Sequence, residues 1–151
     1  ATMQFGDALP RGLAGPVPRG PSLHTEARAA VRRAFELAGI GPQDVSLTEL
    51  QDNTCYYELA FPEEWGLCAP GEAEHLLETG QTTPTGGMPI NPSGGFLSFG
   101  EATTAMGVFQ IAELTWQLRG QSGGRQVAGA RVGLAQTLGL GGNATAAILK
   151  R

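Results

Sequence analysis

Between Ser22 and Ala38 the small apolar residues Ala27, Val31, Ala34 and Ala38 recur at helical spacing, with Ala30 and Leu37 beside them. A helix is predicted there. Ser22, just after Pro21, suits its N-cap, and Gly39 followed by Gly41-Pro42 stops it. Residues 45–50 (Val-Ser-Leu-Thr-Glu-Leu) alternate and predict a strand. Short helices are expected near 56–61 and from Gly71 to Thr79, the second closed by Gly80. Residues 80–100 are rich in glycine and proline and predict a long ordered loop, a kind of segment that usually carries function. From Gly100 to Arg119 the chain is apolar on nearly every face (Ala102, Met106, Phe109, Ile111, Ala112, Leu114, Trp116, Leu118), the pattern of a buried helix. After a turn over 121–129, residues 130–136 and 143–149 read as strands. This order of elements predicts an α/β fold. Upstream, Pro10, Pro16, Pro18 and Pro21 alternate with Gly6, Gly12, Gly15 and Gly20, so 1–21 is expected to be an extended arm or linker. Residues 22–151 then form one domain.

Composition narrows the functional classes. The chain has 151 residues, 41% hydrophobic and 16% charged, which is ordinary for a globular protein. Its net charge is −4, and its cations are scattered except for Arg28, Arg32 and Arg33, which fit the solvated face of the first helix. A nucleic-acid partner is not expected without a basic stripe. No apolar run approaches the ~20 residues that span a bilayer, and the beginning lacks a signal-peptide layout, so a cytoplasmic location without membrane contact is expected. Cys55 and Cys68 have neither a metal-ligand spacing nor the number for a disulfide framework, and no metal is expected.

Individual motifs have competing readings. Gly139-Leu140-Gly141-Gly142-Asn143-Ala144 has the form of a dinucleotide fingerprint, but that motif must open a helix, and the residues after Ala144 read as a strand. A hairpin turn is expected instead. His24 and His75 sit among charged neighbours on or beside helices, as surface residues do. Cys68, after Trp65-Gly66-Leu67, reads as a small buried hydrophobe rather than a nucleophile. Ser93-Gly94-Gly95 lacks the strand-turn-helix context of a serine elbow. Asp52, Glu58 and Glu101 carry more interest. Asp52 follows a predicted strand, where α/β sites gather. Glu101 opens the apolar helix: it is either a capping carboxylate favoured by the dipole, or a general base in a dry pocket that raises its pKa.

Three blocks together resemble the C-terminal half of thiolases, in the branch of sterol-carrier thiolases and steroid side-chain aldolases. They are Ala29 to Gly71, residues 86–107 (GGMPINPSGGFLSFGEATTAMG) and residues 129–151 (GARVGLAQTLGLGGNATAAILKR). The resemblance covers 22–151 and implies a thiolase-like half-fold, a mixed sheet packed with helices. In that family the first strand is followed by His-Asp-x-Phe with a Glu further on; here it is followed by Gln51-Asp52-Asn53-Thr54, with Glu58 in the later position. The Gly-His-Pro motif falls on Gly100-Glu101-Ala102, so Glu101 stands in the place of the histidine, and Gln136-Thr137 stands where the sterol-carrier branch has Gln-His.

The resemblance therefore implies Glu101, Gln51 and Asp52 as catalytic candidates. It implies Asn91, Gly94, Gly95 and Gly100, with Tyr56, as the substrate-binding set. The nucleophilic cysteine of thiolases belongs to the other half of the fold. Without it, acyl transfer lacks its acceptor, whereas retro-aldol cleavage needs only a base and stabilisation of an enolate. The expected function is that of a thiolase-like subunit in a multi-chain complex. It would form or cleave carbon–carbon bonds in coenzyme A thioesters, as an aldolase (lyase) or acyltransferase, with no bound cofactor. The alternative is a non-catalytic scaffold or acyl-lipid-binding pseudo-subunit. The expected partner is a thiolase-like N-terminal-half chain or a second copy of this chain, and a small OB-fold zinc-ribbon protein is a further partner the resemblance implies.

Overall fold

Helix α1 (Leu23–Ala38) and strand β2 (Leu47–Glu49) lie where the spacing predicts. A computed structural model describes the backbone of residues 2–4 and 23–24 and all of 25–139 and 143–151. A short strand β1 (Thr2–Gln4) precedes α1; the rest of the proline-rich arm, Ser22 and the side chain of His24 lie outside the described residues. After β2 come α2 (Cys55–Glu64), α3 (Ala73–Glu78), α4 (Gly95–Phe99) and α5 (Met106–Arg119), then β3 (Val132–Gly139) and β4 (Asn143–Lys150).

The sheet runs β1-β4-β3-β2, with β2 parallel to β3 and the other pairs antiparallel, which is the mixed sheet expected. Gly139 pairs with Asn143, so β3 and β4 form a hairpin. A strand, not a helix, comes after the glycine-rich motif, and its central residues 140–142 lie outside the described residues. Neighbouring residues of β3 point to opposite faces. Leu134 packs with Ala27, Val31 and Phe35 of α1, Phe61 of α2 and Trp65 at its end. Ala135 packs with Leu47 and with Leu114 and Leu118 of α5. Helices thus cover both faces, and all three residues of β2 are buried rather than alternately exposed, as parallel strands usually are. Gly133 lets α5 approach β3, because a Cβ there would lie 2.8 Å from Leu114 Cδ2. Gly133→Val is expected to cost about 2 kcal/mol through overpacking, read by urea denaturation.

Two expectations about the long apolar helix need correction. It begins at Met106, not Gly100: Gly100 (φ 89°) and Thr103 (φ 31°) break the chain, and the short α4 occupies part of the expected loop. It is also not buried all round. Its sheet side carries Met106, Gln110, Glu113, Leu114, Gln117 and Leu118, whereas Val108, Phe109 and Trp116 are 67%, 46% and 45% exposed. The inward polar groups are satisfied: Gln110 donates to the Gln136 carbonyl at 2.7 Å, and Gln117 donates to Glu113 at 2.9 Å.

Candidate functional site at the carboxyl ends of the parallel strands

Strand β2 ends beside Ala135 of β3, and the chain that follows its carboxyl end runs on beside the last residues of β3, the side on which open α/β sheets place their sites. Gln51, buried, ties the two segments together. Its side-chain oxygen accepts from the Thr137 hydroxyl at 2.8 Å and from the Leu138 amide, and its own N–H reaches Gln136 Oε1 at 3.4 Å. Asp52, 1% exposed, turns the other way. Its Oδ1 accepts the Phe96 N–H at 2.7 Å and its Oδ2 the Leu97 N–H at 3.3 Å, so it caps α4 from 44 residues upstream. The segment just after β2 therefore specifies where α4 starts.

Asn91 anchors the 91–95 loop. Its backbone is left-handed (φ 46°), and its N–H donates to the Thr48 carbonyl at 2.7 Å. Its side chain accepts from the Leu50 N–H and donates to Glu58, both at 2.8 Å. Gly94 (φ 97°) and Gly95 (φ 66°) carry the loop into α4. At Gly95 the requirement is absolute, since a Cβ would sit 2.1 Å from Asp52 Oδ2. Gly100 closes α4, its N–H donating to the Phe96 carbonyl at 2.8 Å, and leads directly into Glu101.

Glu101 is not on a helix and not in a dry pocket. It is exposed and accepts from Asn53 Nδ2 at 2.7 Å. Both readings of Glu101 place it at the start of the apolar helix, and α5 starts five residues later. Tyr56, in the first turn of α2, is 57% exposed. The structure thus brings Gln51, Asp52, Asn91 and Gly95 together and connects Glu101 to them through Asn53. His75 is exposed, as expected. Burial, with Glu63 and Glu72 nearby, pushes the Cys68 thiol up to about 11, which keeps it protonated and poorly nucleophilic.

Two further carboxyl groups belong to the surroundings. Glu58, first-turn residue of α2, has its pKa held above the usual carboxylate range by burial and then by Asp52, against the Asn91 hydrogen bond. Glu49, within β2, is 2% exposed. Its oxygens accept the Ser93 N–H at 3.0 Å and the Ser93 hydroxyl at 2.7 Å. Burial pushes it up to about 7, with Glu113 and Asp52 adding to the effect and Ser93 opposing it. An acid on the strand face of Val45 and Leu47 is the sequence signal that marks Glu49. Because the folded chain holds this proton more tightly than the unfolded chain, the stabilisation is complete below about pH 4.5 and lost as pH rises through about 7. Glu49→Gln removes this dependence. The isolated variant is expected to gain up to about 3 kcal/mol on wild type between pH 4 and pH 8, checked by urea titrations at both.

Among the described residues no group of three or more His, Cys, Asp or Glu is placed to hold a metal ion, and no helix is long and apolar enough to cross a membrane. The mixed sheet covered by helices on both faces is that of a thiolase-type half. The family model "Thiolase C-terminal domain-like" matches residues 19–151, and the chain belongs to that family. It is 44% identical over 124 residues to sterol carrier protein 2 of Rattus norvegicus, covering 82% of this chain and 23% of that protein. It is 35% identical over 133 residues to the benzoylsuccinyl-CoA thiolase subunit BbsB of Thauera aromatica, covering 82% of this chain and 34% of that one. Among solved structures, a chain of the Ltp2-ChsH2(DUF35) aldolase superposes with a TM-score of 0.68 at 27% identity, covering 83% of this chain and 32% of that chain. The chain thus spans about a third or less of the length of these relatives.

Proposed function

We propose that this chain is the C-terminal-half subunit of a multi-chain enzyme that forms or cleaves carbon–carbon bonds in coenzyme A thioesters, retro-aldol cleavage being the reaction its residues favour. The observation that carries the reading is the position of Glu101. It stands where the thiolase-type motif has its histidine, oriented by Asn53 and placed beside a loop fixed by Asp52 and Asn91. In cleavage of a 3-hydroxyacyl thioester, Glu101 takes the hydroxyl proton. The O–H electron pair forms the new carbonyl, the Cα–Cβ bond breaks, and its pair passes into the thioester as an enolate. Returning the proton to Cα releases the shortened acyl thioester. Exposure of Glu101 in this chain fits a half-site that the partner completes, and closure there would exclude water from the reacting groups.

The scaffold reading has one specific observation in its favour: the Gln51 oxygen is already used by Thr137 and Leu138, so that position ties strands together. Incubating a 3-hydroxyacyl-CoA with the assembled complex and with this chain alone separates the two readings. Release of an aldehyde or ketone by the complex only is the expected result. No release by either leaves the scaffold role.

A further inference from the structure

The outer face of α5 has a groove of about 290 Å³, with Phe99, Phe109 and Trp116 on its walls and Glu49, Glu113 and Arg125 lining it as well. The three rings are 48%, 46% and 45% exposed, and Phe99 meets Phe109 edge to face at 6.1 Å. The groove already holds one guanidinium in a characteristic way. Arg125 makes hydrogen bonds of 3.0 and 2.8 Å to Glu113 Oε2 and lies over the Trp116 ring, 5.9 Å from its centroid. That pair is complete. Glu49 is the carboxyl group left over, for its oxygens are met by Ser93, a neutral donor. The charged groups facing it are the acids Glu113 and Asp52, and Arg125, whose charge is committed to Glu113. An apolar occupant would cover the rings and leave Glu49 without a counter-charge. A long cationic side chain satisfies both, its stem on the rings and its head at the carboxylate.

We propose that this groove receives an arginine or lysine side chain from the thiolase-type partner chain, with Glu49 as its counter-ion, so that the groove is a charge-keyed part of the subunit interface. The inference rests on the two-chain reading above and adds the chemistry of recognition to it. Pairing requires Glu49 ionised, so the complex binds fewer protons than its separate chains, and assembly tightens as pH rises.

The test uses the complex of this chain with the partner that co-purifies from its source. Wild-type assembly is expected to tighten roughly fivefold to tenfold from pH 6 to pH 8, and Glu49→Gln to remove most of that dependence while binding more weakly at pH 8. In the wild type, carbon-13 NMR of the Glu49 carboxyl is expected to show a midpoint near 7 in the free chain, falling by at least about one pH unit in the complex. This measurement does not depend on how the variant folds. Assembly that is equally tight for both forms at both pH values, or a midpoint that does not fall on assembly, overturns the cation site and leaves the two-chain reading standing. A chain that stays monomeric beside its candidate partners overturns both.

Discussion

Glu101→Gln in the assembled complex is expected to lower turnover by roughly 10²- to 10⁴-fold, the usual contribution of a positioned general base. The amide keeps the size of the side chain and can still accept from Asn53, whose Nδ2 reaches Glu101 at 2.7 Å, so the loop keeps its shape. It cannot take up the hydroxyl proton. Assembly, measured by native mass, should not change, because Glu101 is exposed and its hydrogen bond from Asn53 is retained. The loss should fall on kcat rather than KM, since the interaction removed is made in the transition state. A variant with unaltered kcat would show that Glu101 does not act as the base.

Gly95→Ala is expected to destabilise the chain by on the order of 4 kcal/mol. The alanine must adopt φ near 66°, which costs about 1 kcal/mol. The larger part comes from the new Cβ, 2.1 Å from Asp52 Oδ2. Either the loop moves or Asp52 releases the Phe96 and Leu97 amides, and a buried carboxyl group without its donors costs about 3 kcal/mol or more. Denaturant titration measures the loss. In the complex, activity should fall together with stability, because the same contact positions the loop beside Glu101. Asp52→Asn keeps the volume and one acceptor oxygen and should be milder in both respects. A fully stable Gly95→Ala chain would mean that Asp52 does not hold α4.

Helix α1 and the β3–β4 hairpin were legible in the sequence because each follows one local period. The rest depended on contacts distant in sequence. Helix α4 begins with glycines and gives no periodic signal; it forms because Asp52, on another element, supplies the cap. Helix α5 reads as apolar all round, yet it turns glutamines and Glu113 toward the sheet and leaves aromatic residues outside. Composition alone does not show which side of the helix faces the sheet. At the site, Asp52 was readable as a residue following a strand, and Asn91, Gly94 and Gly95 as part of a conspicuous loop. Both readings of Glu101, as a helix cap or as a base in a dry pocket, assume that the helix already begins there, and it begins at Met106. Glu49 was the hardest to identify. Alternation puts it on the same inward face as Val45 and Leu47, a position where an apolar residue is expected, and the strand is covered on both faces, so every residue of it is buried.

The measurement that tests the two-chain account most directly is the native mass and subunit content of this protein purified from its own source. The account predicts a second, thiolase-type chain in fixed ratio, with cleavage activity residing in the complex. A stable monomer, or an assembly made only of copies of this chain, would contradict it.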